Sequence, residues 1–138
     1  MNPPKWAKEL IRDTIRYLQS EGYQCDIPEV TWRKQTDGFT SSGCCHNDHI
    51  YIVANPNMMI DIKLVILHEL THWALPLNRN WVLPLYSIGH EGHTPAFWDL
   101  AWNLYRHYKL PIRYCQTREA EYRIGSIAAY HRSLRKEE

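Results

Sequence analysis

Met58-Met59-Ile60-Asp61-Ile62-Lys63-Leu64-Val65-Ile66-Leu67-His68-Glu69-Leu70-Thr71-His72-Trp73-Ala74-Leu75 is the stretch on which the fold turns. Asn55-Pro56-Asn57 before it supplies helix-start chemistry and Pro76 stops it, so the segment predicts one long helix over about 58–75. Ile62, Leu64, Val65, Ile66, Leu67, Leu70, Trp73, Ala74 and Leu75 make it apolar almost all round, the pattern of a buried helix. His68, Glu69 and His72 do not belong in such a helix for packing alone. Three buried ionisable groups cost several kcal/mol unless something satisfies them, and one cation can satisfy all three.

The string His68-Glu69-Leu70-Thr71-His72 is an H-E-x-x-H motif, of which about 0.03 copies are expected by chance in a chain of this composition. Histidines four apart project from nearly one helix face toward one ion. Glu69, turned by about 100° from His68, can reach a metal-bound water without ligating. A metal lowers the pKa of that water to about 7, and a carboxylate can then take its proton during attack on a carbonyl.

Two histidines do not hold a catalytic zinc; a third ligand is needed, with the fourth position left to water. The metzincin continuation fails, because Leu75 and Asn78 stand where its glycine and third histidine belong. The next candidates are His90, Glu91 and His93. His93 directly precedes Thr94-Pro95, an N-cap followed by proline at the first helical position, where a rigid helix start can fix it. His90 and Glu91 fall on the 77–92 loop, so His93 is favoured over both.

Working outward, Trp6–Ser20 predicts an amphipathic helix with Trp6, Leu10, Thr14, Tyr17 and Leu18 on one face and Gly22 closing it. Val30 and Trp32 alternate with charged neighbours, as in a half-buried strand. Gly38–His46 and His49–Val53 flank Asn47-Asp48 and predict a hairpin. Ile50-Tyr51-Ile52-Val53 belongs inside the sheet, and the small, polar Gly38–His46 strand belongs at its edge, where its backbone could align a substrate. Phe97, Leu100, Ala101, Leu104 and Tyr108 mark a third helix ending near Pro111. Thr117 can cap a last helix whose Ile124, Ile127, Ala128, His131 and Leu134 share a face. The expected fold is α+β: one domain over residues 1–138, with a small three-stranded, mostly antiparallel sheet packed against the motif helix and further helices.

His68-Glu69-Leu70-Thr71-His72 followed by His93-Thr94-Pro95-Ala96-Phe97-Trp98 resembles the SprT-like group of minimal zincin metallopeptidases, whose third zinc ligand is a histidine in an H-G-P-x-F pattern. The likeness covers about residues 38 to 110, including the hairpin upstream of the motif helix. It implies zinc ligands His68, His72 and His93, with Glu69 as catalytic base. Thr94 stands where the family has glycine, and the cysteine-rich ribbon found downstream in many members is absent.

The whole composition narrows the function further. Sixteen Lys+Arg against fifteen Asp+Glu give a net charge of +1 over 138 residues, without the basic excess of an electrostatic nucleic-acid binder. No apolar run reaches the roughly 20 residues of a membrane helix, and Met1–Trp6 lacks a secretory h-region. Cys25, Cys44, Cys45 and Cys115 read as reduced thiols of a cytoplasmic protein or as ligands. Cys44, His46 and His49 form a second possible metal cluster on the hairpin. Tyr86, His90 and Tyr114 are candidate oxyanion donors. Arg118–Arg123 reads as an ion-paired surface, in which Glu119 could hydrogen-bond the outer nitrogen of a ligating histidine. The expected activity is zinc-dependent endopeptidase action on extended protein or peptide segments. The alternative is a non-catalytic, zinc-stabilised protein-interaction module, with Cys115 or His90 as a fourth ligand.

Overall fold

The computed structural model describes residues 3–34, 42–46, 49–54, 57–75, 93–119 and 123–135. In chain order they form α1 (Lys5–Ser20), β1 (Glu29–Lys34), β2 (Ser42–His46), β3 (His49–Ala54), α2 (Met59–Ala74), α3 (Pro95–His107), α4 (Ile112–Arg118) and α5 (Arg123–Arg135), a mixed helix-and-strand fold. No helix among the described residues is long and apolar enough to cross a membrane.

The motif helix, α2, is the centre of the packing, with α1, the sheet and α3 all against it. That environment explains its sequence: Ile62, Leu64, Val65, Ile66, Leu67, Leu70, Trp73 and Ala74 are all buried, on every side of the helix. Asp61 in its first turn suits the positive end of the helix dipole. α1 covers α2 with Ala7, Ile11, Thr14, Ile15 and Leu18, one stripe at i, i+4, i+7, i+8 and i+11. The buried stripe is thus turned slightly from the expected face, and Trp6, Leu10 and Tyr17 are only partly covered. Gly22 takes φ +96°, and the Tyr23 N–H reaches back to the Leu18 carbonyl at 3.0 Å. That left-handed residue closes the helix at low cost only as glycine.

The strand order is β1-β3-β2. β3 lies inside, as its β-branched run predicts, and β2 is an edge; the earlier part of the expected edge strand, residues 38–41, lies outside the described residues. β2 runs antiparallel to β3, with His46 opposite His49 and Gly43 opposite Ile52. β1 runs parallel to β3, with Val30 opposite Ile50 and Trp32 opposite Ile52. The expected mostly antiparallel sheet is therefore corrected to a mixed one. β3, with Ile50 and Ile52 buried against the core, has two edges to satisfy; the hairpin covers one and β1 the other, and the alternation of Val30 and Trp32 marks a strand without fixing its direction.

Thr94 caps α3 as expected: its hydroxyl accepts from the Phe97 N–H at 3.2 Å, with Pro95 opening the helix. The chain beyond Pro111 differs from expectation. It makes a seven-residue helix, α4, which contains Thr117 rather than being capped by it, and the last helix begins at Arg123. The face of α5 expected to be buried points outward, with Ile124 88% exposed and Ile127 45%. α5 docks on α3 through small residues instead. Ser126 and Ala129 are buried, and a Cβ built on Gly125 would stand 2.8 Å from the Trp98 ring. Against two indoles, only small side chains let the helices approach this closely.

Candidate metal centre

α2 presents His68 and His72 from one face, their ring centroids 5.1 Å apart. His93, fixed by the capped start of α3, brings a third ring to within 5.1 Å of His68 and 4.8 Å of His72. One nitrogen from each imidazole lies within 4.8 Å of the other two. The Nε2 atoms of His68 and His93 are 3.1 Å apart. Ligands on a tetrahedral zinc at about 2.0–2.1 Å sit roughly 3.3 Å from one another, so this pair already stands near ligand spacing. The donor set fits a metal ion: imidazole suits zinc, copper, iron and nickel.

Aromatic packing holds the three rings in place. The Phe97 ring sits 4.9 Å from His68, 4.3 Å from His72 and 4.9 Å from His93, beneath all of them. Trp98 stacks on His93 at 5.5 Å with an interplanar angle of 23°. From sequence Phe97 reads only as part of a buried stripe; the structure makes it the floor of the cluster.

Charge is arranged around the rings. Burial, followed by the neighbouring His68 and His93, pushes His72 well below the usual imidazole range, so it presents a neutral ring with a lone pair. Burial also opposes charge on His68, but the Glu119 carboxylate beside it prevails and raises its pKa. Glu119 Oε1 lies 2.9 Å from His68 Nδ1 and accepts from the Tyr105 hydroxyl at 2.5 Å. Burial raises the Glu119 carboxyl, while His68, Tyr105 and Arg118 outweigh it and leave it below the usual value. Glu69 is buried on α2 beside this group, outside the set of converging donors. Its burial pushes the carboxyl up to about 7, against the pull of His68 and with the repulsion of Glu119.

The other candidate residues divide into those the structure places and those outside the described residues. The Arg118–Glu119 segment is not a solvated surface. Glu119 is 2% exposed, and Arg118 Nε donates to the buried Asp61 at 2.8 Å. The Tyr114 hydroxyl also hydrogen-bonds Asp61, two turns before His68, which corrects its reading as an oxyanion donor. Cys115 is a buried thiol held up to about 12, first by burial and then by Glu119, and it is not among the converging donors. Cys25 is likewise a buried thiol rather than a half-cystine. His49 is engaged by Thr31 at 2.5 Å and by Glu29 at 3.5 Å. The side chains of Cys44 and His46, and all of Tyr86, His90 and Glu91, lie outside the described residues. Asp61 and Tyr105 were not legible as site residues. One signal was available, since Asp61 is a carboxylate in the apolar first half of α2, outside the His68–His72 motif.

Compared with protein-family models, curated proteins and solved structures, the chain matches none of them. The geometry of the three histidines therefore carries the functional argument.

Proposed function

We propose that the chain is a zinc-dependent endopeptidase of the SprT-like zincin type, acting on extended segments of protein. The observation that carries this reading is the convergence of His68, His72 and His93 beside a buried Glu69 that is not itself one of the converging donors. Three imidazoles leave a tetrahedral ion one open position, whereas a structural ion is normally closed by four protein ligands. Zinc held there would lower the pKa of a coordinated water to about 7 and polarise the scissile carbonyl.

The protein's own groups do the rest. His68 and His72 come from one rigid helix and His93 from a capped helix start, so the three nitrogens are set before any ion arrives. Glu69 takes the proton as the nucleophile forms and returns it to the leaving amine. Edge strand β2, placed next to β3 and packed on α2, offers main-chain groups along which an extended chain can lie. Peptide aligned in that way is chosen by backbone shape more than by side chains, giving broad specificity.

The test is cleavage of an unfolded protein by purified chain, followed by mass spectrometry. Activity should be removed by a chelator and restored by one equivalent of zinc. Stoichiometric zinc with no cleavage of any unfolded substrate would point to the interaction module instead.

A further inference from the structure

We infer that Glu119 is a positioning residue for His68, and that Asp61, two turns earlier on the same helix, sets its aim through Arg118 and Tyr114. This rests on the metal-centre reading above and adds to it the means by which one ligand is oriented. An imidazole ligates through a bare nitrogen, so His68 can present Nε2 to an ion only if its proton is kept on Nδ1. Ionised Glu119 offers only acceptors, so at the 2.9 Å contact His68 Nδ1 is the donor. In the neutral ring that bond leaves Nε2 without a proton, its lone pair facing His93 Nε2 at 3.1 Å. The Tyr105 hydroxyl donates to the same carboxylate oxygen at 2.5 Å and stops it from turning away.

Glu119 directly follows α4, and a helix of seven residues is too short to hold itself. Its tie is the buried Asp61, which accepts from Arg118 Nε at 2.8 Å and from the Tyr114 hydroxyl. Asp61 and His68 are seven residues apart on α2, so both face the same neighbour. One rigid helix thus carries the ligand and also the anchor of the carboxylate that orients it. A change at Asp61 should therefore reach the metal without touching it.

The experiment measures zinc affinity of the full chain by competition with a chromophoric chelator, for wild type, Glu119→Gln, Glu119→Leu, Tyr105→Phe and Asp61→Asn. In parallel, nitrogen-15 spectra of the zinc-free protein at alkaline pH report which ring nitrogen of His68 carries the proton. Glu119→Gln keeps an oxygen acceptor and loses the charge, and should weaken zinc about tenfold; Glu119→Leu should weaken it about 100-fold. Tyr105→Phe and Asp61→Asn should fall between wild type and Glu119→Gln, with helical circular dichroism unchanged. The His68 proton should sit on Nδ1 in wild type and shift toward Nε2 in Glu119→Leu, a change that mere loosening of the fold would not produce. Glu119→Gln is nearly isosteric and decides the matter if the leucine variant fails to fold. A wild-type His68 protonated on Nε2, or equal zinc affinity in wild type and Glu119→Gln, would overturn the inference. Failure of wild type to bind zinc would sink the metal reading alone, because the proton's position is read without metal.

Discussion

Gly125 offers a sharp test of how the helical layer supports the three-histidine cluster. Its replacement by alanine would put a Cβ 2.8 Å from Trp98 Cδ1 and 3.0 Å from Nε1. Ordinary contact begins at 3.4 Å, so one partner must move by about 0.6 Å. Trp98 cannot give way easily. It is 1% exposed, stacked on His93 at 5.5 Å and set edge-on to Phe97 at 4.9 Å. Alanine gains about 1 kcal/mol of helix propensity, and overpacking costs about 1–3 kcal/mol. The clash should win by about 1 kcal/mol, lowering the melting temperature by about 3–5 °C for a domain of this size. Because the displaced indole presses on His93, zinc affinity should also fall several-fold. Ile124→Ala, one residue away and outward-facing, is the control and should change neither quantity. A Gly125→Ala protein that melts at or above wild type and binds zinc normally would refute this packing argument.

Further outcomes follow from the same geometry. His93→Ala should lower zinc affinity strongly, while His90→Ala leaves it within a small factor; a reversal in chelator competition would transfer the ligand role to His90. A proline at whichever of Ser42 or Gly43 has its N–H pointing away from β3 should lower kcat/KM for long peptides while zinc content stays unchanged; normal cleavage would remove β2 as the substrate rail. Lys109 holds a left-handed backbone with φ 56° just past α3, so Lys109→Gly should raise stability in denaturant titration by about 0.5–1 kcal/mol. No gain, or a loss, would mean that the lysine side chain compensates the strain.

Local signals reach far in this sequence and then stop at particular places. The span of α2, the cap at Thr94 and the interior place of β3 all follow from residues acting on near neighbours, and each was legible. The parallel partner of β3 was not, since Val30 and Trp32 show that a strand exists but not which edge it meets. α5 misled for a different reason. Its large residues, Ile124, Ile127 and Leu134, suggest the buried face, yet contact with Trp98 and Trp102 requires Gly125, Ser126 and Ala129. Periodicity counts apolar bulk and cannot see that a neighbour's indoles leave no room for it. At the site, His68, His72 and His93 could be chosen from motif and capping. Glu119 was visible only as one of several possibilities, because its place depends on the neighbouring Arg118 being tied to Asp61, 57 residues earlier in the chain.

The most direct test of the account compares zinc content and peptide hydrolysis in wild type and Glu69→Gln. The amide keeps the shape of the side chain but cannot accept the proton, and Glu69 is outside the set of converging donors. Zinc should remain near one per chain while hydrolysis falls by about 10²–10⁴-fold. Hydrolysis by Glu69→Gln at the wild-type rate would contradict the account.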